Sequence, residues 1–218
     1  MSWFNRALSG TIGQKLIMAV TGLFLVTFLL EHLIGNWLLL SSDGTAFNGY
    51  AEFMKENPII KVAEYVLFAG FIVHIAYAAT ITYKNKKARP VAYAYNNPSA
   101  NSSWFSRNMG LSGSLVFIFL VLHLKTFFIP HKVTYTATIS LYDDAIYTFS
   151  NPYWTAFYVF SMLLMGFHLN HGFQSAFQTL GLRHPKYTPL VKGLGTAFAI
   201  IVPGLLAFIP VCIYFTHR

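Results

Sequence analysis

A chain of 218 residues that is 55% hydrophobic and only 10% charged lies well below the roughly 25% charge of soluble globular domains, which excludes a freely soluble protein. Its apolar runs are long and do not alternate, which excludes a transmembrane barrel of about ten-residue strands and leaves membrane-spanning helices. The net charge of +8 belongs to topology and membrane-surface chemistry, with no nucleic-acid motif beside it.

Five spans are predicted, at about 14–40, 59–83, 105–130, 152–180 and 190–216. Each can cross a hydrocarbon core of about 30 Å with some tilt. The connections are short and rich in turn formers: "SSDGTAFNGY", "NNPSANSS", "LYDDAIYTFSNP" and "RHPKYTP". No soluble domain fits between spans and no transporter-type repeat is visible. The expectation is one all-α transmembrane domain over 1–218, a bundle of five helices. The first apolar run is longer than a signal-peptide core and lacks a small-x-small cleavage site, so it reads as an uncleaved helix.

Charge orients the bundle. Arg6 and Lys15, then Lys84, Lys86, Lys87, Arg89 and Arg107, then Arg183, Lys186 and Lys192 fall in alternate connections, which hold no Asp or Glu. The other side carries Asp43, Glu52, Glu56, Asp143 and Asp144. Cytoplasmic loops carry the excess of Lys and Arg, so the N-terminus is expected in the cytoplasm and the C-terminus outside. The same basic face could dock a cytoplasmic partner. Cys212 is the single cysteine. It provides no disulfide, no covalent haem attachment and no iron–sulfur ligand set.

Ionisable residues inside spans are costly and usually functional. Five of the 8 histidines are inside spans: His32, His74, His123, His168 and His171. On the outward-running first and third spans, His32 and His123 lie about 27 Å from the cytoplasmic end. On the inward-running second and fourth, His74 and His168 lie about 23 Å from the outer end. The result is two pairs at two depths, each shared between two helices. Haem iron takes one histidine from each face, so two matched pairs imply two stacked haems. Gly35, Gly70 and Gly172 lie three or four residues from His32, His74 and His168, on the same helix faces. A missing side chain there would clear room for a flat macrocycle.

Depth does not separate His168 from His171, one turn apart. Gly172 shares a face with His168 and is merely adjacent to His171, which favours His168 as the ligand.

The stretches "EHLIGN" at 31–36, "AFNGYAEFM" at 46–54, "FIVHIAYA" at 71–78, "LHLKTF" at 122–127 and "FHLNHGFQS" at 167–175, in this order and frame, resemble a known family. It is the di-haem cytochrome b membrane anchor of succinate dehydrogenases and fumarate reductases (respiratory complex II), in its single-polypeptide, five-helix form. The resemblance implies axial histidines at His32, His74, His123 and His168. Its pairing puts the inner haem on His74 and His168 and the outer on His32 and His123. It also implies the His–Gly–Ser spacing of His168, Gly172 and Ser175, and leaves His171 and Ser175 beside the ligand shell. Implied cofactors are two haem b, with a quinone, often menaquinone in this family, as substrate. Implied partners are an iron–sulfur subunit and a flavoprotein subunit on the cytoplasmic side, membrane quinone and lipid, with room for a higher-order oligomer of the complex. No flavin or succinate site belongs to this chain. The implied location is a bacterial-type inner membrane, multi-pass. Electrons would pass from the iron–sulfur subunit through the inner and outer haems to quinone.

Candidates for the quinone carbonyls and their protons are Glu31, Asn36, Trp37, Asn48, Glu52 and Glu64. Glu64 could carry a proton or simply pair with Lys61. Lys125 could meet a haem propionate, with snorkelling to headgroups the favoured reading. Inner Lys and Arg side chains, a Ser or Trp104 could hold inner propionates. Two other functions compete: the di-haem anchor of a formate dehydrogenase or hydrogenase, and a proton-coupled transporter, which would carry no pigment.

Overall fold

Two Asn-Pro pairs set the starts of two long helices. Asn57 accepts the backbone N–H groups of Ile59 and Ile60 and precedes Pro58; Asn151 accepts that of Tyr153 and precedes Pro152. A side-chain acceptor at the N-cap with proline at the first helical position satisfies the free N–H groups of a helix start. The computed structural model describes residues 10–88, 97, 100, 102–134 and 136–217. Arg6 and Arg89 lie outside them.

In chain order the helices are α1 (Thr11–Trp37, with a 3-10 turn Leu38–Leu40), α2 (Thr45–Glu56), α3 (Pro58–Lys87) and α4 (Trp104–Arg107). They continue with α5 (Met109–His123, running into a π-helical stretch Leu124–Val133), α6 (Leu141–Phe149), α7 (Pro152–Thr179) and α8 (Thr188–Thr216). No strand occurs among the described residues. Four segments are long and apolar enough to cross a membrane: Thr11–Leu40, Pro58–Lys87, Met109–Val133 and Thr188–Thr216. Their outward faces are apolar, Ile12 and Ile59 being 85% and 77% exposed. Such exposure is a liability in water and is what lipid requires.

The predicted fourth span is the helix α7, of 28 residues, but it is less apolar than the other four. Thr155, Ser161, His168, Asn170, His171, Gln174 and Gln178 interrupt it. Several of these groups are satisfied internally, as a low-dielectric environment demands. Thr155 donates to the Phe149 carbonyl and Ser161 to the Phe157 carbonyl, each at 2.7 Å. Asn170 Oδ1 accepts from Gln174 Nε2 at 2.9 Å and from Thr196 Oγ1 at 3.0 Å, which ties α7 to α8.

The connections at 41–50 and 141–152 are not plain turns, as their composition suggested. Each contributes a helix, α2 and α6, that lies over one end of the bundle. The turn formers supply the starts: Gly44 takes a left-handed φ of 70°, and Ser140 accepts the Asp143 N–H at 3.1 Å. Phe47, Tyr142, Ala145 and Phe149 then enter the core with Leu33, Phe119, Tyr158, Met162 and Ile209. Asn48 joins the two helices. Its Oδ1 accepts the Tyr142 N–H at 3.2 Å and its Nδ2 donates to Ser140 Oγ at 3.3 Å. Asn48 therefore serves packing.

α7 is the central strut, packed on α8, α1 and α5, while α3 packs chiefly on α1. Small residues bring α7 and α8 close, as in membrane bundles generally. A Cβ on Gly166 would stand 2.8 Å from the Ala199 carbonyl oxygen. Gly166→Ala is therefore expected to cost about 1–3 kcal/mol, read as a lower melting temperature in detergent. An unchanged melt would show that α8 can slide to accommodate it.

The antiparallel order gathers Lys15, Lys84, Lys86, Lys87, Arg107 and Lys192 at one end, opposite the α2–α6 end.

Candidate functional site: histidine pairs across a central cavity

The looser packing of α3 leaves a cavity of about 2370 Å³. His32, His74, His123, His168 and His171 all line it. The depth argument pairs His32 with His123, and their rings meet edge-on between α1 and α5, with centroids 5.7 Å apart and planes at 87°. Phe28 lies against His32 and Phe119 stacks on His123, with centroids 5.3 and 5.7 Å away. His74 and His168, from α3 and α7, line the same cavity.

Three of the four rings have Nδ1 occupied from a neighbouring helix. His74 Nδ1 is 3.2 Å from Thr21 Oγ1, His168 Nδ1 is 3.5 Å from Ser112 Oγ, and His123 Nδ1 is 3.1 Å from the Tyr158 hydroxyl. A ring nitrogen engaged in this way fixes the orientation and leaves Nε2 for a metal.

The glycines against the rings differ from those expected. A Cβ on Gly22 would stand 3.2 Å from His74 Cε1, and one on Gly113 3.3 Å from His168 Cε1. Gly35 instead faces the Tyr50 ring, Gly70 faces Phe24 and Gly172 faces the Met109 methyl. Gly35 and Gly172 still line the cavity. Clearance next to the histidines thus comes from the opposite helix. The sequence signal for it is a hydroxyl residue followed by glycine, Thr21-Gly22 and Ser112-Gly113, which lies on a different helix from the histidine it serves.

The donor set fits haem. Among the described residues no three His, Cys, Asp or Glu side chains converge as a metal site. A b haem brings four equatorial donors and asks the protein only for axial ligands, so facing imidazoles are a sufficient contribution. The cavity is also more than twice the roughly 300–1,000 Å³ of a single ligand pocket.

The cavity wall toward the α2–α6 end is polar. Glu64 Oε2 accepts from Lys132 Nζ at 2.6 Å, so its partner is Lys132 on the π-helical stretch rather than Lys61. The neighbouring His131 Nε2 is 3.0 Å from Asp144 Oδ2. Glu31 Oε1 accepts from the Tyr50 hydroxyl at 2.5 Å. Burial, then the Glu31 carboxylate, push the Tyr50 phenol above its ordinary value, so it remains a donor. Asn36 lines the cavity and donates to the His32 carbonyl at 2.8 Å. Glu52 is exposed on α2, Trp37 stacks on Phe208 of α8 and Lys125 is exposed; none of the three lines the cavity. At the other end Lys15, Lys86, Arg107, His171, Ser175 and Gln178 form the rim. Trp104 packs edge-on against Phe105 and Phe167, away from that rim.

No family model matches the chain, and no solved structure matches it. The succinate dehydrogenase cytochrome b558 subunit of Bacillus subtilis (strain 168) is 24% identical over 184 residues, 84% of this chain and 84% of that protein. This distant likeness, spread over most of both chains, supports the resemblance to complex II membrane anchors.

Proposed function

We propose that this chain is the membrane anchor and electron-transfer subunit of a succinate:quinone oxidoreductase, holding two b haems at two depths. The observation that carries the reading is the placement of two histidine pairs, each drawn from two helices, on the wall of one large cavity. The likeness to a named succinate dehydrogenase cytochrome b subunit supports the choice of complex.

Haem iron, when bound, supplies one-electron redox chemistry within the membrane. The chain's part is ligation, spacing and exclusion of water. His74 and His168 are the inner ligands, His32 and His123 the outer. Phe28, Phe119 and Phe127 pack around the outer pair and keep it dry. In this reading α7 is a fifth span, because its polar groups turn inward to the cavity and to α8. The basic end faces the cytoplasm and docks the iron–sulfur subunit, itself joined to the flavoprotein. Lys15, Lys86 and Arg107 at the cavity's inner rim suit haem propionates. The complex sits in a bacterial inner membrane.

Quinone binds at the outer part of the cavity. Glu64 and Lys132 there are a proton acceptor and a donor poised 2.6 Å apart, suited to a quinone carbonyl that gains a proton with each electron. Positioned proton transfer contributes about 10²–10⁴-fold. Glu64→Gln is therefore expected to slow quinone-coupled succinate turnover by about a hundredfold, with the haem content of purified membranes unchanged. Equal turnover in the variant would move the proton route elsewhere, with Glu31 the next candidate.

The test of the whole reading is a reduced-minus-oxidised spectrum of the purified chain, then of membranes given succinate. Two b haems per chain, reducible by succinate, are expected. Absence of b-type bands would end the proposal in favour of a transporter. Reduction by formate or hydrogen and not by succinate would assign the chain to another di-haem dehydrogenase anchor.

A further inference from the structure

Thr21-Gly22 on α1 lies eleven residues before His32, and Ser112-Gly113 on α5 lies eleven before His123. Eleven residues are about three helical turns, so the hydroxyl and the outer histidine share one helix face, about 16 Å apart along the axis, with the glycine next to the hydroxyl in the chain. In each case the hydroxyl–glycine pair receives the histidine of another helix: Thr21-Gly22 receives His74 of α3, and Ser112-Gly113 receives His168 of α7. The two outward-running helices thus carry the same local repeat, a hydroxyl and a glycine below and a histidine above.

The hydrogen bonding gives each hydroxyl a direction. Thr21 Oγ1 donates to the Ile17 carbonyl at 2.8 Å. With its proton given to that carbonyl, its oxygen is placed to accept from His74 in the form that carries the hydrogen on Nδ1. Ser112 Oγ likewise donates to the Met109 carbonyl at 3.2 Å and accepts from His168 Nδ1. Both rings therefore present an unprotonated Nε2. The glycine beside each hydroxyl lets the ring edge reach it: any side chain there would meet Cε1 at 3.2–3.3 Å.

We infer that Thr21 and Ser112 are matched positioning residues for the inner haem, each holding the opposite-helix ligand in its Nδ1–H form. The inference rests on the haem reading proposed above. A hydrogen bond from the far nitrogen of a ligating histidine makes that histidine a stronger donor to the metal. A stronger donor favours the oxidised iron, so removing the hydroxyl raises the reduction potential of that haem.

The experiment uses the full chain in its haem-loaded complex, with Thr21→Val, Ser112→Ala and the conservative Thr21→Ser. Optical redox titration and the low-spin electron paramagnetic resonance signals are recorded for each. His168→Ala identifies which component is the inner haem, as the one that disappears. Expected are upward shifts of the inner potential and altered inner g-values in Thr21→Val and Ser112→Ala, an unmoved outer component, and restoration in Thr21→Ser. Should Thr21→Val fail to assemble, Ser112→Ala, a smaller change at the cavity wall, reads the same quantity. An inner component unchanged in Ser112→Ala, or an outer component that moves instead, overturns the seats while leaving the haem assignment intact. A wild-type chain without b-type bands overturns both, and so separates failure of the functional reading from failure of the seats.

Discussion

If the chain binds two b haems as proposed, His168→Ala is expected to retain one of them, with b-type absorbance falling by about half, whereas His171→Ala retains both. The two residues are three apart on α7, about 60° around the helix and one turn along it. Only His168 has its ring set between a hydroxyl and a glycine of α5, with Ser112 Oγ 3.5 Å from Nδ1 and Gly113 cleared for Cε1. His171 lies at the basic rim with Lys15 and Arg107, where an imidazole suits a propionate or a docking surface. In the reading proposed above an alanine at 168 removes one of the two axial ligands of the inner pair, and His171 lies about 60° around α7 from it. Pyridine haemochrome content per chain measures the outcome. Loss of a haem in His171→Ala with retention in His168→Ala would exchange their roles.

Haem depletion is expected to be the largest perturbation to stability. The cavity of about 2370 Å³ separates α3 from α5 and α7, so α3 is held mainly by α1. A ligand present at a thousand times its dissociation constant stabilises the folded state by about 4 kcal/mol, and two sites act together. Chain produced in haem-deficient cells should melt well below the loaded protein, and its α3 amides should exchange first, because local openings follow sparse packing. Equal melting temperatures with and without haem would mean that the cavity closes on its own side chains.

The likeness between expectation and structure is uneven for a physical reason. Helix extents and histidine depths depend on one chain at a time: on apolar run length, on Asn-Pro starts and on a 1.5 Å rise. That is why sequence position alone matches His32 with His123, whose rings meet edge-on at 5.7 Å. The surface helices α2 and α6 were hidden by their own caps, since glycine and serine signal a turn whether or not a helix follows. α7 was legible as a helix. Its polar residues obscure its apolar character because their partners, such as Thr196, lie on another helix.

The amino-acid sequence by itself determined the apolar all-helical class, the position of each histidine along its helix and the segregation of basic residues, all set by composition and local rise. Tertiary structure decided what faces each histidine: Gly22 and Gly113 rather than Gly35, Gly70 and Gly172, the hydroxyls of Thr21, Ser112 and Tyr158, and Lys132 rather than Lys61 beside Glu64. These are cross-helix contacts, and they depend on how each helix is rotated about its axis. That rotation is chosen by the packing of α1, α5 and α8 around α7, which no single stretch of the chain encodes.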